Sequence, residues 1–202
     1  KSTLGSAIMG DPKLKITEGK ISFLNKDITQ KKVDERGMLG MMMTMQNPVE
    51  IPGISTTNVI RAALNARGEN LSLDKIREQI SIVCKKLKTN IFFAEREINY
   101  KFSGGEKKKN EILQALVLKP KLLILDEIDS GLDIDAADLI SELLRELQEE
   151  CKTTLLIVTH NMRILRSLTV DRVCILKSGQ IVKTGTRKLL ESIEKNGFEG
   201  IL

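Results

Sequence analysis

Leu122-Leu123-Ile124-Leu125-Asp126-Glu127 is a run of four apolar residues followed directly by two carboxylates. A short run that is apolar without alternation predicts a strand buried on both faces of a parallel sheet. Ligands of α/β proteins bind at the carboxyl ends of such strands, where Asp126 and Glu127 lie. One carboxylate can hold a metal ion through water and the other can deprotonate an attacking water. The alternative is a structural acidic turn that caps the next helix.

A second buried strand is predicted at residues 154–158, Thr-Leu-Leu-Ile-Val. Between the two strands, apolar residues recur every three or four positions, which predicts an amphipathic helix over 136–149. Its apolar positions are Ile140, Leu143, Leu144 and Leu147. The order strand, helix, strand is the unit from which parallel sheets are built, so the predicted fold class is α/β.

The rest of the chain extends this core. Residues 172–176 and 180–184 flank Ser178-Gly179 and predict a hairpin, which a helix over 187–195 follows. From about residue 48 to 99 the apolar spacing becomes helical, with Ser72 as a candidate N-cap. We therefore expect one domain, with an α/β core at 1–47 and 101–202 and an inserted helical subdomain at 48–100.

Composition excludes several classes of protein. With 202 residues, 41% of them hydrophobic, the chain can bury one sizeable core, and its apolar runs are far shorter than a membrane span. The net charge of +5 comes with dispersed lysines, five phenylalanines and one tyrosine, so a solvated basic surface is favoured over a nucleic-acid interface. Cys84, Cys151 and Cys174 are far apart, which favours reduced, partly buried thiols over a disulfide or zinc site.

Two further segments suit anions. Phe102-Ser103-Gly104-Gly105-Glu106 precedes an apolar helical pattern, so it offers backbone donors at a helix N-terminus, although an ordinary capped turn is equally compatible. The lysines at 107–109 then lie at the unfavourable end of the helix dipole, and we expect a solvated face, with a phosphate or Glu127 as alternative compensation. Lys1-Ser2-Thr3 is compatible with the end of a phosphate-binding loop but lacks its glycines.

His160 is the only histidine, and it follows directly on the second buried strand. A lone histidine is usually structural or merely exposed. Its position at the carboxyl end of a strand next to Asp126-Glu127 favours a role at the same site.

Taken together, these segments resemble the motif set of ABC-type ATPases in order and in spacing. The matching segments are Lys1-Ser2-Thr3 (end of Walker A), Gln46 (Q-loop), Ser103-Gly104-Gly105-Glu106 (signature), Asp126-Glu127 (Walker B), Ser130-Gly131-Leu132-Asp133 (D-loop) and His160 (H-loop). The resemblance implies a P-loop ATPase core that lacks its amino-terminal β-layer. It also implies ATP bound between two head-to-tail copies, with weak nucleotide binding by a chain that starts at Lys1.

The resemblance also implies a role for each matching residue. ATP would be bound by Lys1, Ser2, Thr3, Gln46, Ser103, Gly104, Gly105 and Asp133, with the signature residues acting on the partner copy's nucleotide. Mg²⁺ would be bound by Ser2, Gln46 and Asp126. Glu127 would act as the base, and His160 would sense the γ phosphate.

Within the ABC ATPases, three stretches are most similar to SufC, the ATPase of Suf iron–sulfur cluster assembly. They are residues 46–53, 102–114 and 125–136, in which Glu106-Lys107-Lys108 and Ile128-Asp129 replace residues typical of transporters. This similarity implies a cytoplasmic ATPase with SufB- and SufD-like scaffold partners and no nucleic acid or membrane insertion. The alternatives are the nucleotide-binding subunit of a membrane transporter and an inactive remnant that only binds partners.

Overall fold

The computed structural model describes residues 1–197, in which helices alternate with short strands. The helices are α1 (Ser2–Met9), α2 (Val33–Met38), α3 (Thr56–Ala66), α4 (Leu73–Lys86), α5 (Phe92–Glu95), α6 (Gly104–Leu118), α7 (Ile134–Glu149) and α8 (Arg187–Asn196), with a 3-10 helix at Met162–Leu165. The strands are β1 (Ser22–Phe23), β2 (Lys26–Asp27), β3 (Met41–Met43), β4 (Ile51–Ser55), β5 (Glu97–Ile98), β6 (Leu122–Asp126), β7 (Thr154–Val158), β8 (Val173–Lys177) and β9 (Gln180–Gly185). The carboxyl end of the predicted core, at 198–202, lies outside the described residues.

A parallel sheet in the order β3-β6-β7 forms the centre of the molecule. Its middle strand, β6, is the apolar run at 122–126, and Leu123, Ile124 and Leu125 are fully buried. The neighbouring strand β7 has the predicted bounds. The third strand, β3, was not predicted, because Met41–Met43 is short and has no β-branched residue.

Helix α7 is the predicted crossover between β6 and β7. It begins at Ile134 because the Asp133 side chain accepts a hydrogen bond from the Ala136 N–H at 2.7 Å. The four apolar residues at the predicted spacing are buried, which packs the helix onto the sheet. The prediction of a strand, helix, strand unit is therefore confirmed.

The middle of the chain contains helices α3, α4 and α5, which share one apolar core with α6 and the sheet. Ser72 caps α4 as predicted, since its hydroxyl accepts from the Lys75 N–H. The segment is not purely helical, however: β4 and β5 pair as an antiparallel ribbon. The boundaries of a separate subdomain at 48–100 stay a prediction.

Arg36 fixes the end of α1 from inside the core. Its guanidinium is fully buried and donates to the carbonyls of Ala7 and Ile8 at 3.0 and 2.6 Å, and to those of Thr29 and Lys31. The Ala7 carbonyl also accepts from the Gly10 N–H, whereas the Ile8 carbonyl is one of the last acceptors of α1, which lack a partner within the helix. Burial lowers the pKa of Arg36, but the four carbonyls satisfy the charged group.

The hairpin of β8 and β9 and the helix α8 confirm the predicted ending of the described chain. Cys84 is buried, Cys151 is half-buried and Cys174 is exposed. Burial raises the pKa of the Cys84 thiol to about 11, so this side chain is a neutral part of the core. Within residues 1–197, none of the helices combines the length and the apolar character needed to cross a bilayer.

Candidate functional site

The carboxyl ends of the three parallel strands bring the candidate residues together. Gln46 follows β3, Asp126 and Glu127 end β6, and His160 follows β7. The strand register pairs Asp126 with Val158, two residues before His160. The sequence prediction that His160 lies at the same edge of the sheet as Asp126 and Glu127 is confirmed, whereas the place of Gln46 at this edge was not predicted.

Glu127 is held from two sides. The Gln46 amide donates to Glu127 Oε2 at 2.9 Å, and His160 Nδ1 lies 3.7 Å from Glu127 Oε1. The side chain of Glu127 remains 26% exposed and that of His160 63% exposed, so water reaches the carboxylate. An accessible carboxylate in a fixed orientation can accept a proton from a bound water.

The backbone of Glu127 is also unusual. Its φ of 50° lies in the left-handed region, which residues with a Cβ rarely adopt. The conformation is held because the Glu127 N–H donates to the Val158 carbonyl at 2.9 Å and the Glu127 carbonyl accepts from Lys108 Nζ at 2.6 Å. Strained backbone of this kind is concentrated at functional sites.

Asp126 has a carboxylate oxygen available for a metal or its water ligand. The residue is 2% exposed, its N–H donates to Thr44 Oγ1 at 3.3 Å, and its Oδ1 has no hydrogen-bond partner within the described residues. A buried carboxylate oxygen without a donor is costly, and a hydrated divalent cation would satisfy it. The chemistry of Asp126 thus suits Mg²⁺.

Lys108 is the cation of this acidic site. The residue is 5% exposed and contributes its charge close to Glu111, Asp129, Glu127 and Asp126. Burial lowers the pKa of Lys108, and these four carboxylates oppose that effect. The expectation that the lysines at 107–109 form a solvated face is wrong for Lys108, since α6 turns this side chain towards the sheet. Lys107 instead pairs with Glu50 at 2.7 Å.

The signature segment caps α6. Ser103 Oγ accepts from the Glu106 N–H at 3.3 Å, and the Ser103 N–H donates to Glu106 Oε2 at 2.8 Å, so the two residues form a capping box. Arg96 pairs with Glu106 at 2.8 Å and lies 4.1 Å from the Phe102 ring centre. These contacts therefore stabilise the turn.

Two clefts run beside this segment. One is lined by Gln46, Asn47, Pro48, Gly104, Lys107 and Lys108. The other is lined by Ser103, Gly105, Glu106, Lys109, Gly131, Leu132, Asp133 and Ala136. The second cleft brings the predicted residues of the signature and the D-loop together in one exposed groove.

Lys1, Ser2 and Thr3 lie at the start of α1 and are exposed. The helix packs on β3 and β6 at Gly5, where a Cβ would lie 2.9 Å from Met43 Cε and 3.3 Å from Ile124 Cγ2. This close approach sets the first turn of α1 beside the carboxyl-terminal parts of both strands. The helix dipole directs positive charge there, which suits a phosphate.

Glu111 was missed by the sequence analysis. It is 6% exposed, its Oε1 accepts from the Met45 N–H at 2.7 Å, and burial raises its pKa to about 7. A charged residue directly before the apolar pair Ile112-Leu113 of the α6 pattern was the signal that could have revealed it. The sequence analysis also missed the contacts of Thr44 and Thr159, because no sequence pattern marks these residues. Thr159 donates a hydrogen bond to Asp129 Oδ1 at 3.1 Å.

Comparisons with known proteins identify the family to which the chain belongs. Residues 1–130 match the family model described as "ABC transporter", and residues 97–166 match one described as "AAA domain, putative AbiEii toxin, Type IV TA system". Vegetative protein 296 of Bacillus subtilis is 41% identical over 100% of this chain and 78% of its own length. A probable ABC transporter ATP-binding protein of Streptococcus pyogenes serotype M3 is 43% identical over 100% of this chain and 79% of its own. A probable ATP-dependent transporter of Synechocystis is 40% identical over 98% and 79%.

Two solved structures are similar throughout. The nucleotide-binding cassette MJ1267 superimposes with a TM-score of 0.75 at 26% identity, over 100% of this chain and 83% of its own. The cassette MJ0796, a dimer in a post-hydrolysis state bound to ADP and Pi, superimposes with a TM-score of 0.76 at 24% identity, over 92% and 79%. The predicted α/β P-loop fold is thereby confirmed, and the chain belongs to the ABC transporter family of ATP-binding cassettes.

Proposed function

We propose that this chain hydrolyses ATP as the ATPase subunit of a SufBCD-type iron–sulfur cluster assembly complex. The observation that carries the ATPase part is the Glu127 carboxylate, which Gln46 holds at 2.9 Å beside His160. A carboxylate in this position, next to a second one with a free oxygen, suits a reaction in which water attacks a phosphate.

Each residue contributes to the reaction through its position. Glu127 orients the attacking water and removes its proton, and His160 contacts the terminal phosphate. Ser2, Gln46 and Asp126 would hold Mg²⁺, which would supply positive charge to the phosphates. Lys1, with Thr3 and the amino end of α1, binds the phosphates.

A second copy of the chain completes the site. The cleft that contains Ser103, Gly105 and Asp133 is open, and the Ser103 hydroxyl, which accepts a hydrogen bond in capping α6, still has its own hydrogen to donate. Gly104 has open space where a Cβ would lie. These residues therefore meet the nucleotide of a partner copy across a head-to-tail interface, so that hydrolysis requires two chains.

The change Glu127→Gln tests the ATPase part. It keeps the shape of the side chain but removes the base, so turnover should fall by about a hundredfold or more while ATP affinity is kept. Steady-state phosphate release and calorimetric titration measure the two quantities. The exposed carboxylate Glu142 supplies the control Glu142→Gln, which should retain full turnover. Unchanged turnover in Glu127→Gln would show that the base has been misassigned. Absence of turnover in the wild-type protein would favour the alternative of an inactive remnant that only binds partners.

The Suf part rests on the similarity of residues 46–53, 102–114 and 125–136 to SufC, and four of the residues that differ from transporters make specific contacts in the fold. Glu106 caps α6, Lys107 pairs with Glu50, and Lys108 contacts the Glu127 carbonyl. Asp129 accepts from Thr159 at 3.1 Å. Of the residues that differ from the transporter pattern, Lys108 thus contacts the proposed base directly.

Co-expression with the SufB- and SufD-like proteins of the same organism tests the Suf part. The chain should elute with them in one complex, and ATP turnover should depend on them. Copurification with a transmembrane subunit instead would reject the Suf assignment.

The transporter subunit is the second candidate, and two observations favour it. Two of the relatives are named as a probable ABC transporter ATP-binding protein and a probable ATP-dependent transporter. In addition, Val49, Ile51, Ile54 and Phe92 are exposed apolar residues in or beside the middle segment, where a helix of a membrane partner could dock. Either partner would leave the chain in the cytoplasm.

A further inference from the structure

Helix α6 holds the segment 45–50, which contains Gln46, through a buried carboxylate. Glu111 Oε1 accepts a hydrogen bond from the Met45 N–H at 2.7 Å. Met45 directly precedes Gln46, whose amide donates to Glu127 Oε2 at 2.9 Å. A displacement of the Met45 peptide therefore moves the Gln46 side chain relative to the carboxylate.

The same helix reaches the other end of the segment through a pair of amides. Asn110 Nδ2 donates to Asn99 Oδ1 at 3.0 Å, and Asn99 Nδ2 donates to the Val49 carbonyl at 2.9 Å. Both asparagines are buried. The segment is thus held near both ends by neighbouring residues of α6, Asn110 and Glu111.

Burying the Glu111 carboxylate costs desolvation free energy. The residue is 6% exposed, its Oε2 has no hydrogen-bond partner within residues 1–197, and burial raises its pKa to about 7. An apolar residue would fill the same volume without the cost of desolvation. Only a residue with an acceptor can satisfy the Met45 N–H and fix its direction. The hydrogen bond to the Met45 N–H, and not the packing of the core, therefore explains why a carboxylate occupies this position.

We propose that Glu111, supported by the Asn110 and Asn99 pair, is a positioning residue for ATP hydrolysis: it fixes the Met45 peptide so that Gln46 meets Glu127. The inference rests on the proposed ATPase function. Helix α6 then has two roles: its amino end carries the signature residues, and Glu111 positions the base Glu127 of the same chain. Glu111 acts through Gln46 and does not touch the substrate.

A set of three variants tests the proposal in the full protein with its partners. Glu111→Leu should lower the maximal turnover by about tenfold or more, with ATP affinity changed by less than about twofold, because the Met45 N–H loses its acceptor. Glu111→Gln keeps an acceptor oxygen and should restore turnover to within about threefold of wild type. Gln114→Leu, on the next turn of α6, removes only a bond to the Asn110 carbonyl and should retain wild-type turnover.

A double variant separates positioning from a general loss of structure. If Glu111 acts through Gln46, Glu111→Leu combined with Gln46→Ala should be no slower than Gln46→Ala alone, within about twofold. Losses that multiply, or a Glu111→Gln protein as slow as Glu111→Leu, would overturn the proposal. So would full turnover in Glu111→Leu.

Asn99→Gly provides the test if Glu111→Leu does not fold. Asn99 has a φ of 59°, which glycine adopts freely, so the substitution removes the amide without straining the backbone. Turnover should again fall with ATP affinity retained, and unchanged turnover would contradict the role of the pair.

A failure of the proposed ATPase function can be distinguished from a failure of the positioning role of Glu111. A wild-type protein without ATP turnover would reject the ATPase assignment but not the contact with Met45. The exchange rate of the Met45 amide, measured by NMR, then decides: it should rise in Glu111→Leu, and an unchanged rate would overturn the inference.

Discussion

Glu111 makes the stability of the protein depend on pH in a direction opposite to that of most carboxylates. Burial raises its pKa from the usual 4.5 to about 7, so between these values the folded chain holds a proton that the unfolded chain releases. The free energy of unfolding therefore falls as pH rises through this window and stays at the lower level above it. The full difference corresponds to about 3 kcal/mol.

The substitution Glu111→Gln isolates this contribution, because the amide does not titrate. The free energy of unfolding of the variant minus that of wild type should increase by roughly 2–3 kcal/mol between pH 5 and pH 8. Urea denaturation followed by circular dichroism at several pH values measures both proteins. The comparison cancels the titration of the other groups.

Glu142→Gln is the control. The Ser167 hydroxyl and then Arg145 lower the pKa of Glu142, so this carboxylate has finished titrating below the window. The difference between this variant and wild type should stay constant from pH 6 to pH 8. A difference for Glu111→Gln that is equally constant would refute the reasoning, since it would mean that Glu111 is charged in the folded protein at pH 5.

Three further predictions concern ATP binding, assembly and the fold. Lys1→Ala should weaken ATP binding by about tenfold or more in calorimetric titration, because it removes the cation at the phosphates, and unchanged affinity would contradict that role. Ser103→Arg should abolish turnover while the monomer still binds ATP, and wild-type turnover per chain should rise with protein concentration; full activity in the variant would show that the signature has been misassigned. Gly10→Ala should destabilise the protein by about 2–4 kcal/mol in thermal denaturation, since φ is +78° and a Cβ would lie 2.8 Å from the Arg36 side chain. Its control is Gly19→Ala, where φ is +87° and the space is open, which should cost only about 1 kcal/mol; equal losses would argue against the clash.

Much of the fold could be predicted because local patterns determine it. The apolar run of β6 and the three- to four-residue spacing of α7 identify a strand and a helix without reference to the rest of the chain. The capping residues Ser72 and Ser103 mark helix starts for the same reason. The strands β3 and β5 were not predicted because they are only three and two residues long, and β4 was not predicted because it contains Pro52 and Gly53 and its pairing partner lies far away in the sequence.

The candidate site was likewise predicted in part from the sequence, and its other features depend on the tertiary structure. Asp126, Glu127 and His160 were predicted as site residues because they end or follow predicted strands, and Gln46 was predicted only from its place in the motif set. The roles of all four stay predictions. Tertiary structure alone decided their surroundings. Gln46 and Glu127 are 81 residues apart, and Glu111 and Met45 are 66 apart.

Lys108 and Glu111 show the physical reason. In the sequence they are two charges on a polar stretch of helix, which ordinarily face solvent. The packing of α6 against the sheet turns them inwards, and burial then lowers the pKa of Lys108 and raises that of Glu111. The sequence determined which residues are candidates for the chemistry, whereas the protonation of these buried groups and the direction of their contacts depend on which faces meet, which only the folded chain decides.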